Sequence, residues 1–495
     1  MISRTLIQKN DITTRGDKMF DNDLLKPQQF INGEWVEALG GGRLPVYNPA
    51  TGELVAEAAY GGAADAELAV QAAHEAFPSW SARTASERSA LLYRWYRLIM
   101  NHQEQLAAIL NAEMGKPLQE ARGEIRYGAD YVLWYAEEAK RVYGNTVPAS
   151  SQNKRIVVMR QPVGVAAAIT PWNFPCAMVT RKMAPALASG CTVVVKPSEL
   201  TPLTAIALFT LLERAGLPPG AANLVTGSPA DIGDCWLQDD RVKKISFTGS
   251  TEVGKHLMRG SADQVKKLSL ELGGHAPAIV FDDADIELAV KEIMKSKFRN
   301  SGQTCVCANR IYVQKGALEA FSSRFAEEVR ALKACGGPGD GSEIGPLIND
   351  KAYAKVARHV EDALSGGARL LAGGKGDGRF FEPTVLAGVT HDMLVCREET
   401  FGPVAPIIAF ESEEEAVRMA NDTPYGLAAY VFTRELSRSI RMAEKLEYGI
   451  VGVNDGMPST VQAPFGGMKQ SGIGREGGYQ GIEAYLETKM LSILF

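Results

Sequence analysis

The sequence predicts an α/β protein in which a parallel sheet, with helices on both faces, is followed by a second α/β unit. Short apolar runs that suit buried strands recur between residues 164 and 248, and segments with helical spacing separate them. Such βαβ alternation places successive strands parallel in one sheet. A second block of short strands and alanine- and glutamate-rich helices runs from about residue 272 to 464. A chain of 495 residues is long enough for two or three domains.

The individual elements follow from hydrophobic spacing and turn residues. A strand and turn are predicted at 30–36, turn residues at 48–52, and a long helical region at 65–143. The strands of the first sheet are predicted at 164–170, 192–196, 222–226 and 244–248, with helices near 179–188, 203–215 and 230–238. In the second block the clearest helices are 285–298 and 317–332.

Composition excludes several classes of protein. Hydrophobic residues make up 45% of the chain, charged residues 22%, and the formal net charge is -5, which is typical of a globular enzyme and offers no basic surface for nucleic acid. No apolar run approaches the length of a membrane span. Residues 1–18 lack the apolar core of a signal peptide, and we expect a disordered lead-in or a start at Met19.

The seven cysteines are odd in number and scattered, which disfavours a disulfide framework and favours a reducing cytoplasmic location. Only Cys305 and Cys307 are close together. One intervening residue is too few for an ordinary zinc pair, and no metal site is predicted. A disulfide between them would be strained and labile, which gives a hypothesis of oxidative inhibition.

Cys305 stands out because a Gly-Gln-Thr turn precedes it and Glu271 lies upstream in a Glu-Leu-Gly-Gly run. A thiol that attacks a carbonyl and a carboxylate that later activates water are the groups that oxidation of an aldehyde through a thioester requires. Taken alone, the pattern also fits a buried packing cysteine and a surface glutamate.

Two segments at predicted strand ends suit a dinucleotide. Residues 247–254 end a strand and open a helix, where backbone amides can hold pyrophosphate and Gly249 permits close approach. After the strand at 192–196, Lys196 and Glu199 can address ribose hydroxyls, and a carboxylate there repels a 2′-phosphate, which favours NAD over NADP. Each segment alone also fits an ordinary surface turn, and the first departs from the usual Gly-x-Gly-x-x-Gly fingerprint.

Asn173 lies between Pro171 and Pro175 after the first strand of the sheet. Its amide can donate a hydrogen bond to an oxyanion, and losing one such donor typically costs about 10²–10³ in rate. An asparagine between prolines also fits a simple loop cap.

Together, and in this order, these motifs resemble the aldehyde dehydrogenase superfamily over nearly the whole chain, from about Phe30 to Leu494. The matching segments are 171–175, 196–199, 247–254, 270–274, 302–305, 398–403 and 464–467. The resemblance implies a Rossmann-like cofactor domain (19–144 and 163–271), an α/β catalytic domain (272–465) and a β oligomerisation arm (145–162 and 466–495). Members of the family are dimers or tetramers.

The resemblance also implies roles for single residues. Cys305 matches the nucleophile, Glu271 the general base, and Asn173, with the backbone N–H of Cys305, the oxyanion hole. Lys182 matches a lysine that supports the nucleophile region, and Glu399 a carboxylate that holds the nicotinamide ribose. The other implied cofactor contacts are Thr170, Trp172, Lys196, Ser198, Glu199, Gly249, Ser250, Leu272 and Phe401.

Within the superfamily, the run 298–310 resembles the succinate-semialdehyde dehydrogenase subfamily, as do 180–182 and 448–452. Arg181, Arg299 and Ser459 fall where that subfamily contacts the substrate carboxylate, and two guanidiniums suit an anionic tail. Oxidation of succinate semialdehyde to succinate with NAD, or alternatively NADP, is therefore predicted. Either arginine alone also fits a helix cap or an ion pair.

The segment 454–462 departs from the subfamily, because Asp455 stands where a small neutral residue is usual and Pro458 and Gln462 lie in the same loop. Glutarate semialdehyde and sulfolactaldehyde therefore stay alternative substrates. A CoA-acylating relative would lack the base at Glu271, and a non-catalytic relative would lose that base or the thiol. A cofactor-free thiol hydrolase would need a nearby histidine, and the motifs offer only His275.

Overall fold

Two large sheets flanked by helices, a three-stranded sheet and three small ribbons make up the computed structural model, which describes residues 23–333 and 341–495. The predicted α/β class is confirmed. The predicted lead-in at 1–18 and one of the seven cysteines, Cys335, lie outside the described residues.

Strands and helices of the described residues are numbered in chain order. The strands are β1 (Gln29–Ile31), β2 (Glu34–Val36), β3 (Arg43–Tyr47), β4 (Leu54–Ala59), β5 (Asn145–Val147), β6 (Lys154–Pro162), β7 (Val165–Ile169), β8 (Thr192–Lys196), β9 (Ala222–Leu224), β10 (Val242–Thr248), β11 (Lys267–Glu271), β12 (Ala276–Val280), β13 (Ala308–Gln314), β14 (Arg369–Ala372), β15 (Gly376–Asp377), β16 (Phe380–Phe381), β17 (Thr384–Ala387), β18 (Val404–Phe410), β19 (Tyr425–Gly426), β20 (Ala428–Phe432), β21 (Ile450–Val453), β22 (Met468–Lys469), β23 (Gly472–Ile473) and β24 (Leu486–Leu494). The helices are α1 (Ala63–Ser81), α2 (Ala85–Asn101), α3 (Gln103–Met114), α4 (Leu118–Glu138), α5 (Ala177–Ser189), α6 (Leu203–Arg214), α7 (Pro229–Gln238), α8 (Thr251–Ser261), α9 (Ile286–Phe298), α10 (Leu318–Ala331), α11 (Asp350–Ser365), α12 (Leu394–Arg397), α13 (Glu413–Asn421), α14 (Leu436–Lys445) and α15 (Gln480–Glu483). None of these helices combines the length and the apolar character that crossing a membrane requires.

The first large sheet has the order β2-β1-β9-β8-β7-β10-β11-β23, and its five central strands, β9 to β11, are parallel. These strands are mostly buried because helices cover both faces, which explains their continuous apolar runs. The four strands predicted for this sheet are confirmed as β7, β8, β9 and β10. Strand order reverses between β7 and β10, and in open α/β sheets ligands bind at the carboxyl ends beside such a reversal.

The second large sheet has the order β14-β17-β18-β13-β12-β20-β21 and is parallel except at β14. Helices α9 and α10 confirm the helices predicted in this block. The connection from α9 to β13 carries Cys305.

Strand β24 pairs antiparallel with β6 over its full length, and β6 pairs with β5. This three-stranded sheet exposes apolar side chains at its chain-terminal end, among them Met490, Leu494 and Phe495. Strand β23 also lies in the segment 466–495 that was predicted to belong to the oligomerisation arm, but it pairs with β11 in the first large sheet. The predicted domain boundaries stay a prediction.

Helices α4 and α5 pack closely beside the first sheet. Every residue of α5 is buried. Gly128 of α4 faces the start of α5, where a Cβ atom would lie 2.6 Å from the Cys176 sulfur. A side chain at this position would therefore push α4 away from α5, the helix that carries Arg181 and Lys182.

Candidate active site

A cavity of about 290 Å³ lies between the carboxyl end of the first sheet and the loops of the second. Both units contribute to its wall. The predicted site residues that line it are Trp172, Asn173, Arg181, Gly249, Ser250, Leu272, Arg299, Cys305, Glu399, Phe401 and Ser459. Those that lie outside its lining are Thr170, Lys182, Lys196, Ser198, Glu199 and Glu271.

Cys305 follows a turn of three consecutive residues in the left-handed region, with φ values of 53° at Asn300, 56° at Ser301 and 75° at Gly302. The non-glycine residues cost about 1–3 kcal/mol each in such a conformation. Hydrogen bonds hold the turn: the Asn300 N–H donates to Glu120 at 2.7 Å, and the Ser301 hydroxyl donates to the Gly345 carbonyl at 2.9 Å. The surrounding structure thus fixes the backbone that presents the thiol.

The Cys305 side chain is half-buried on the cavity wall. Burial raises the pKa of its thiol to about 12, and the positive charge of Arg181 offsets only part of that effect. Gly274 packs against the Cys305 carbonyl, where a Cβ atom would lie only 2.2 Å from the oxygen. Because Gly274, the second glycine of the Glu-Leu-Gly-Gly run, has no side chain, this run can pack directly against the backbone of Cys305.

Asn173 is buried in the loop after β7 and bonds to the loop of the second unit that precedes Cys305. Its Nδ2 donates to the Gln303 carbonyl at 3.0 Å. An amide nitrogen has two N–H donors, so one is left for a ligand in the cavity. The Asn173 side chain is thus hydrogen-bonded to the backbone two residues before Cys305, the residue with which it is predicted to act.

Glu271 is the last residue of β11, immediately before cavity-lining Leu272. The side chain is buried, and neither carboxylate oxygen has a hydrogen-bond partner among the described residues. Burial raises the pKa of Glu271 well above its usual range, and the negative charge of Glu476 adds to the rise. An unpartnered buried carboxyl with a raised pKa is typical of a group that takes up a proton during catalysis.

Sequence reasoning missed Glu476, which is buried behind the cavity. Its carboxylate pairs with Lys182 at 2.5 Å and with Arg181 at 2.6 Å, and the Ser246 hydroxyl donates to it at 3.2 Å. These cations hold the pKa of Glu476 below its usual range despite burial. The only signal in the chain is a glutamate amid glycines at 474–478, which by itself indicates no partner.

The cofactor-side residues gather at the strand-order reversal. Thr170 follows β7 and Thr248 ends β10, and the hydroxyls of both are buried without a partner among the described residues. Ser250 caps α8 by accepting a hydrogen bond from Val253 N at 3.3 Å. Unpartnered hydroxyls beside a helix N-terminus fit the polar groups of a bound dinucleotide.

Lys196 and Glu199 lie at the end of β8, with 3.3 Å between Nζ and the carboxylate. On the cavity wall, Glu399 accepts a hydrogen bond from Gly274 N at 3.0 Å, and burial raises the pKa of this carboxyl to about 7. The ring centres of Trp172 and Phe401 are 5.6 Å apart, edge to face, so the aromatic contact bridges the two units.

The two predicted tail-binding arginines differ in their surroundings. Arg181 is fully buried, pairs with Glu476, and lies 4.3 Å from the Phe465 ring centre. Arg299 forms no ion pair among the described residues and lies 5.3 Å from the Phe174 ring centre. The alternative interpretation of an arginine paired with an acidic neighbour therefore applies to Arg181, although it still lines the cavity.

His275 and Cys307 lie away from the cavity. His275 is buried with Nε2 2.9 Å from the Cys396 carbonyl, and burial lowers its pKa well below the usual range. The Cys307 sulfur accepts a hydrogen bond from Lys297 Nζ at 3.3 Å. Among the described residues, no histidine lines the cavity that contains the thiol. The oxidative pairing of Cys305 with Cys307 stays a prediction.

A doubly wound sheet with a cavity at its carboxyl end, lined by a thiol and an amide and adjoined by a carboxyl that has no hydrogen-bond partner among the described residues, is typical of a nucleotide-dependent enzyme. The chain belongs to the aldehyde dehydrogenase family, whose sequence model matches residues 35–491. Enzymes of this family use NAD or NADP, so the predicted cofactor class is confirmed.

The chain is similar in sequence to three relatives and in structure to a solved aldehyde dehydrogenase. The chain is 54% identical to the mitochondrial succinate-semialdehyde dehydrogenase of Arabidopsis thaliana, over 98% of this chain and 92% of the relative. It is 53% identical to a glutarate-semialdehyde dehydrogenase of Pseudomonas putida (96% and 99% covered) and 55% identical to a 3-sulfolactaldehyde dehydrogenase of Pseudomonas putida (96% and 98%). A crystal structure of an aldehyde dehydrogenase from Brucella melitensis biovar abortus superposes with a TM-score of 0.95 at 54% identity, with 96% and 99% covered.

Proposed function

We propose that this protein oxidises a small anionic aldehyde to its carboxylate, with succinate semialdehyde, converted to succinate, as the main substrate. The observation that carries the proposal is that the guanidinium of Arg299, which has no ion-pair partner in the described part of the chain, lines the same cavity as the Cys305 thiol. A guanidinium recognises a carboxylate through parallel N–H donors. One end of the cavity would therefore bind the tail while the thiol meets the aldehyde.

The covalent chemistry begins at Cys305. Its thiolate attacks the aldehyde carbon, and the carbonyl π electrons move to oxygen to give a thiohemiacetal oxyanion. The free Asn173 amide N–H and the backbone N–H of Cys305 would donate to that oxyanion, a contribution typically worth about 10²–10³ in rate per donor. The thiol proton would leave to water in the cavity as the thiolate forms, and burial, which raises the pKa of the thiol to about 12, opposes that loss.

Glu271 is the proposed general base. After oxidation the acyl group remains on the Cys305 sulfur as a thioester. The Glu271 carboxylate takes a proton from water, and the resulting hydroxide attacks the thioester carbon. The C–S bond breaks to release the Cys305 thiolate and the carboxylic acid, which loses its proton to solvent as the carboxylate product. General base catalysis of this kind is typically worth about 10²–10⁴. Lys182 would act indirectly, by pairing with Glu476 beside Glu271.

We propose NAD as the preferred dinucleotide, with NADP as the alternative. When bound, it supplies the oxidising power by accepting hydride from the substrate carbon. Lys196 and Glu199 would hold the adenosine ribose, with Ser198 beside them, and Glu399 the nicotinamide ribose. The remaining contacts would come from Thr170, Trp172, Gly249, Ser250, Leu272 and Phe401. The unpartnered hydroxyl of Thr170 supports this assignment.

The anionic group and the length of the substrate tail distinguish the main substrate from its alternatives. Arg299, with Ser459 on the same cavity wall, would contact the tail carboxylate, and Arg181 would add a guanidinium whose charge Glu476 offsets. Relatives named for glutarate semialdehyde and 3-sulfolactaldehyde have almost the same identity to this chain as the succinate-semialdehyde relative. These two aldehydes are therefore the alternative substrates.

We propose that the sheet of β5, β6 and β24 is an oligomerisation arm of a homodimer or homotetramer. Its exposed apolar side chains, such as Met490 and Leu494, support this assignment, because a partner subunit would cover them. A cytoplasmic location is proposed from the six unpaired cysteines of the described residues.

The experiment follows reduced-cofactor absorbance with purified protein and four aldehydes: succinate semialdehyde, glutarate semialdehyde, sulfolactaldehyde and propanal, each with NAD and with NADP. We expect the highest kcat/KM with succinate semialdehyde and NAD. Faster turnover of propanal than of all three anionic aldehydes would refute the anionic tail site. Faster turnover of one longer or sulfonated aldehyde would keep that site and replace the main substrate.

A further inference from the structure

Lys116 is a buried lysine outside all the motifs, and it lies directly behind Asn173. It follows Gly115, which ends α3 in the left-handed region with φ 78°, and its side chain is only 1% exposed. Its Nζ donates to the Asn173 carbonyl at 2.9 Å and lies 3.9 Å from the Phe174 ring centre. A charged group this deep needs a fixed partner.

That partner is Glu124 on α4, which forms an ion pair with Lys116 and is equally buried. The other Glu124 oxygen accepts hydrogen bonds from Cys176 N at 2.9 Å and Ala177 N at 3.3 Å. Cys176 is the residue that precedes α5 and Ala177 is its first residue, and no side chain of the N-cap residue caps this helix. One carboxylate therefore holds both the lysine and the start of the helix that carries Arg181.

The Asn173 carbonyl also accepts a hydrogen bond from Asn300 Nδ2 at 3.1 Å, and the same nitrogen lies 3.1 Å from the Gln303 carbonyl. Asn173 Nδ2 donates to that Gln303 carbonyl. Lys116 and Asn300 thus clamp one carbonyl oxygen, which fixes the peptide plane after Asn173. The direction of the Asn173 side chain into the cavity depends on that plane.

We propose that Lys116, anchored by Glu124, is a positioning residue that aims the Asn173 amide at the reacting carbonyl. The inference rests on the proposed function, in which this amide stabilises the oxyanion. Lys116 itself lies outside the cavity lining and touches no substrate. Its effect on the reaction passes entirely through Asn173.

The test compares Lys116→Met with the paired variant Lys116→Met/Glu124→Gln, each also in an Asn173→Ala background. The paired variant leaves no unpaired buried charge, and glutamine keeps an acceptor for the α5 amides. Lys140→Met, an exposed lysine beyond the end of α4, is the matched control. Steady-state kinetics with succinate semialdehyde and NAD are measured on variants that keep the wild-type melting profile.

We expect a fall in kcat of about tenfold with the aldehyde KM unchanged, less than the 10²–10³ typical for loss of an oxyanion donor because the amide remains. In the Asn173→Ala background the lysine substitution should change kcat no further. A further tenfold fall in kcat in the Asn173→Ala background overturns the inference. An unchanged kcat after the lysine substitution in protein that retains Asn173 overturns it as well. A wild-type protein that oxidises none of the aldehydes overturns the proposed function and the inference with it.

Discussion

Arg299→Met tests the anionic tail site most directly, because Arg299 has no ion-pair partner among the described residues whereas Arg181 is bound to Glu476. A hydrogen bond to a charged group is worth about 1.5–3 kcal/mol. Since about 1.4 kcal/mol corresponds to a factor of ten, kcat/KM for succinate semialdehyde should fall roughly 10- to 100-fold. Propanal carries no charged tail, so its kcat/KM should stay unchanged.

The assay is initial-rate formation of reduced cofactor with both aldehydes over a range of concentrations. Arg126→Met is the matched control, because it removes an exposed positive charge from α4 without touching the cavity. The decisive quantity is the ratio of kcat/KM values for the two aldehydes. Equal losses for both, or no loss for succinate semialdehyde, would refute the assignment of Arg299 to the substrate tail.

Three further predictions concern the carboxylates. Glu271→Gln should lower steady-state turnover by about 10²–10⁴ while an initial burst of reduced cofactor and an acylated Cys305, seen by intact mass, persist; loss of the burst as well would contradict a role limited to the base. Glu476 raises the pKa of Glu271, so Glu476→Gln should lower it. The base works only when ionised, and the acid limb of kcat should therefore move to lower pH; a shift to higher pH would be the opposite result. Glu199→Ala removes a carboxylate that repels a 2′-phosphate, so kcat/KM with NADP should rise relative to NAD, and an unchanged ratio would show that Glu199 does not select the cofactor.

Much of the fold was predictable because the buried parallel strands consist mostly of consecutive apolar residues. Strand β8 occupies the predicted residues, and α6 ends one position before its predicted end. Strand β10 starts two residues earlier than predicted, at Val242, because Lys243 interrupts the apolar pattern before Lys244. Lys244 is polar as well but is buried, with Nζ donating to the Ser269 hydroxyl at 2.6 Å. A hydrogen bond formed only in the folded protein thus overrides the local polarity.

Some residues of the candidate site were predictable from local motifs, and others are recognised only in the folded structure. Glu271 ends β11, Asn173 follows β7, and Cys305 lies in the connection that leads into β13, so local motifs located them and topology explains why they meet. Glu476 and Lys116 carry no comparable motif. Their importance comes from partners far away in sequence, and only the packed structure supplies those partners.

Under the proposed function, the charges around the cavity explain how one site would select an anionic substrate and also contain a general base. Arg181 and Lys182 both pair with Glu476, whose single negative charge offsets one of the two, whereas Arg299 lines the cavity with no ion-pair partner among the described residues. Without Glu476, the two buried cations would favour the ionised form of Glu271 and lower its pKa. We infer that the missed carboxylate separates the two tasks, because it keeps the base protonatable while the unpaired arginine attracts the substrate.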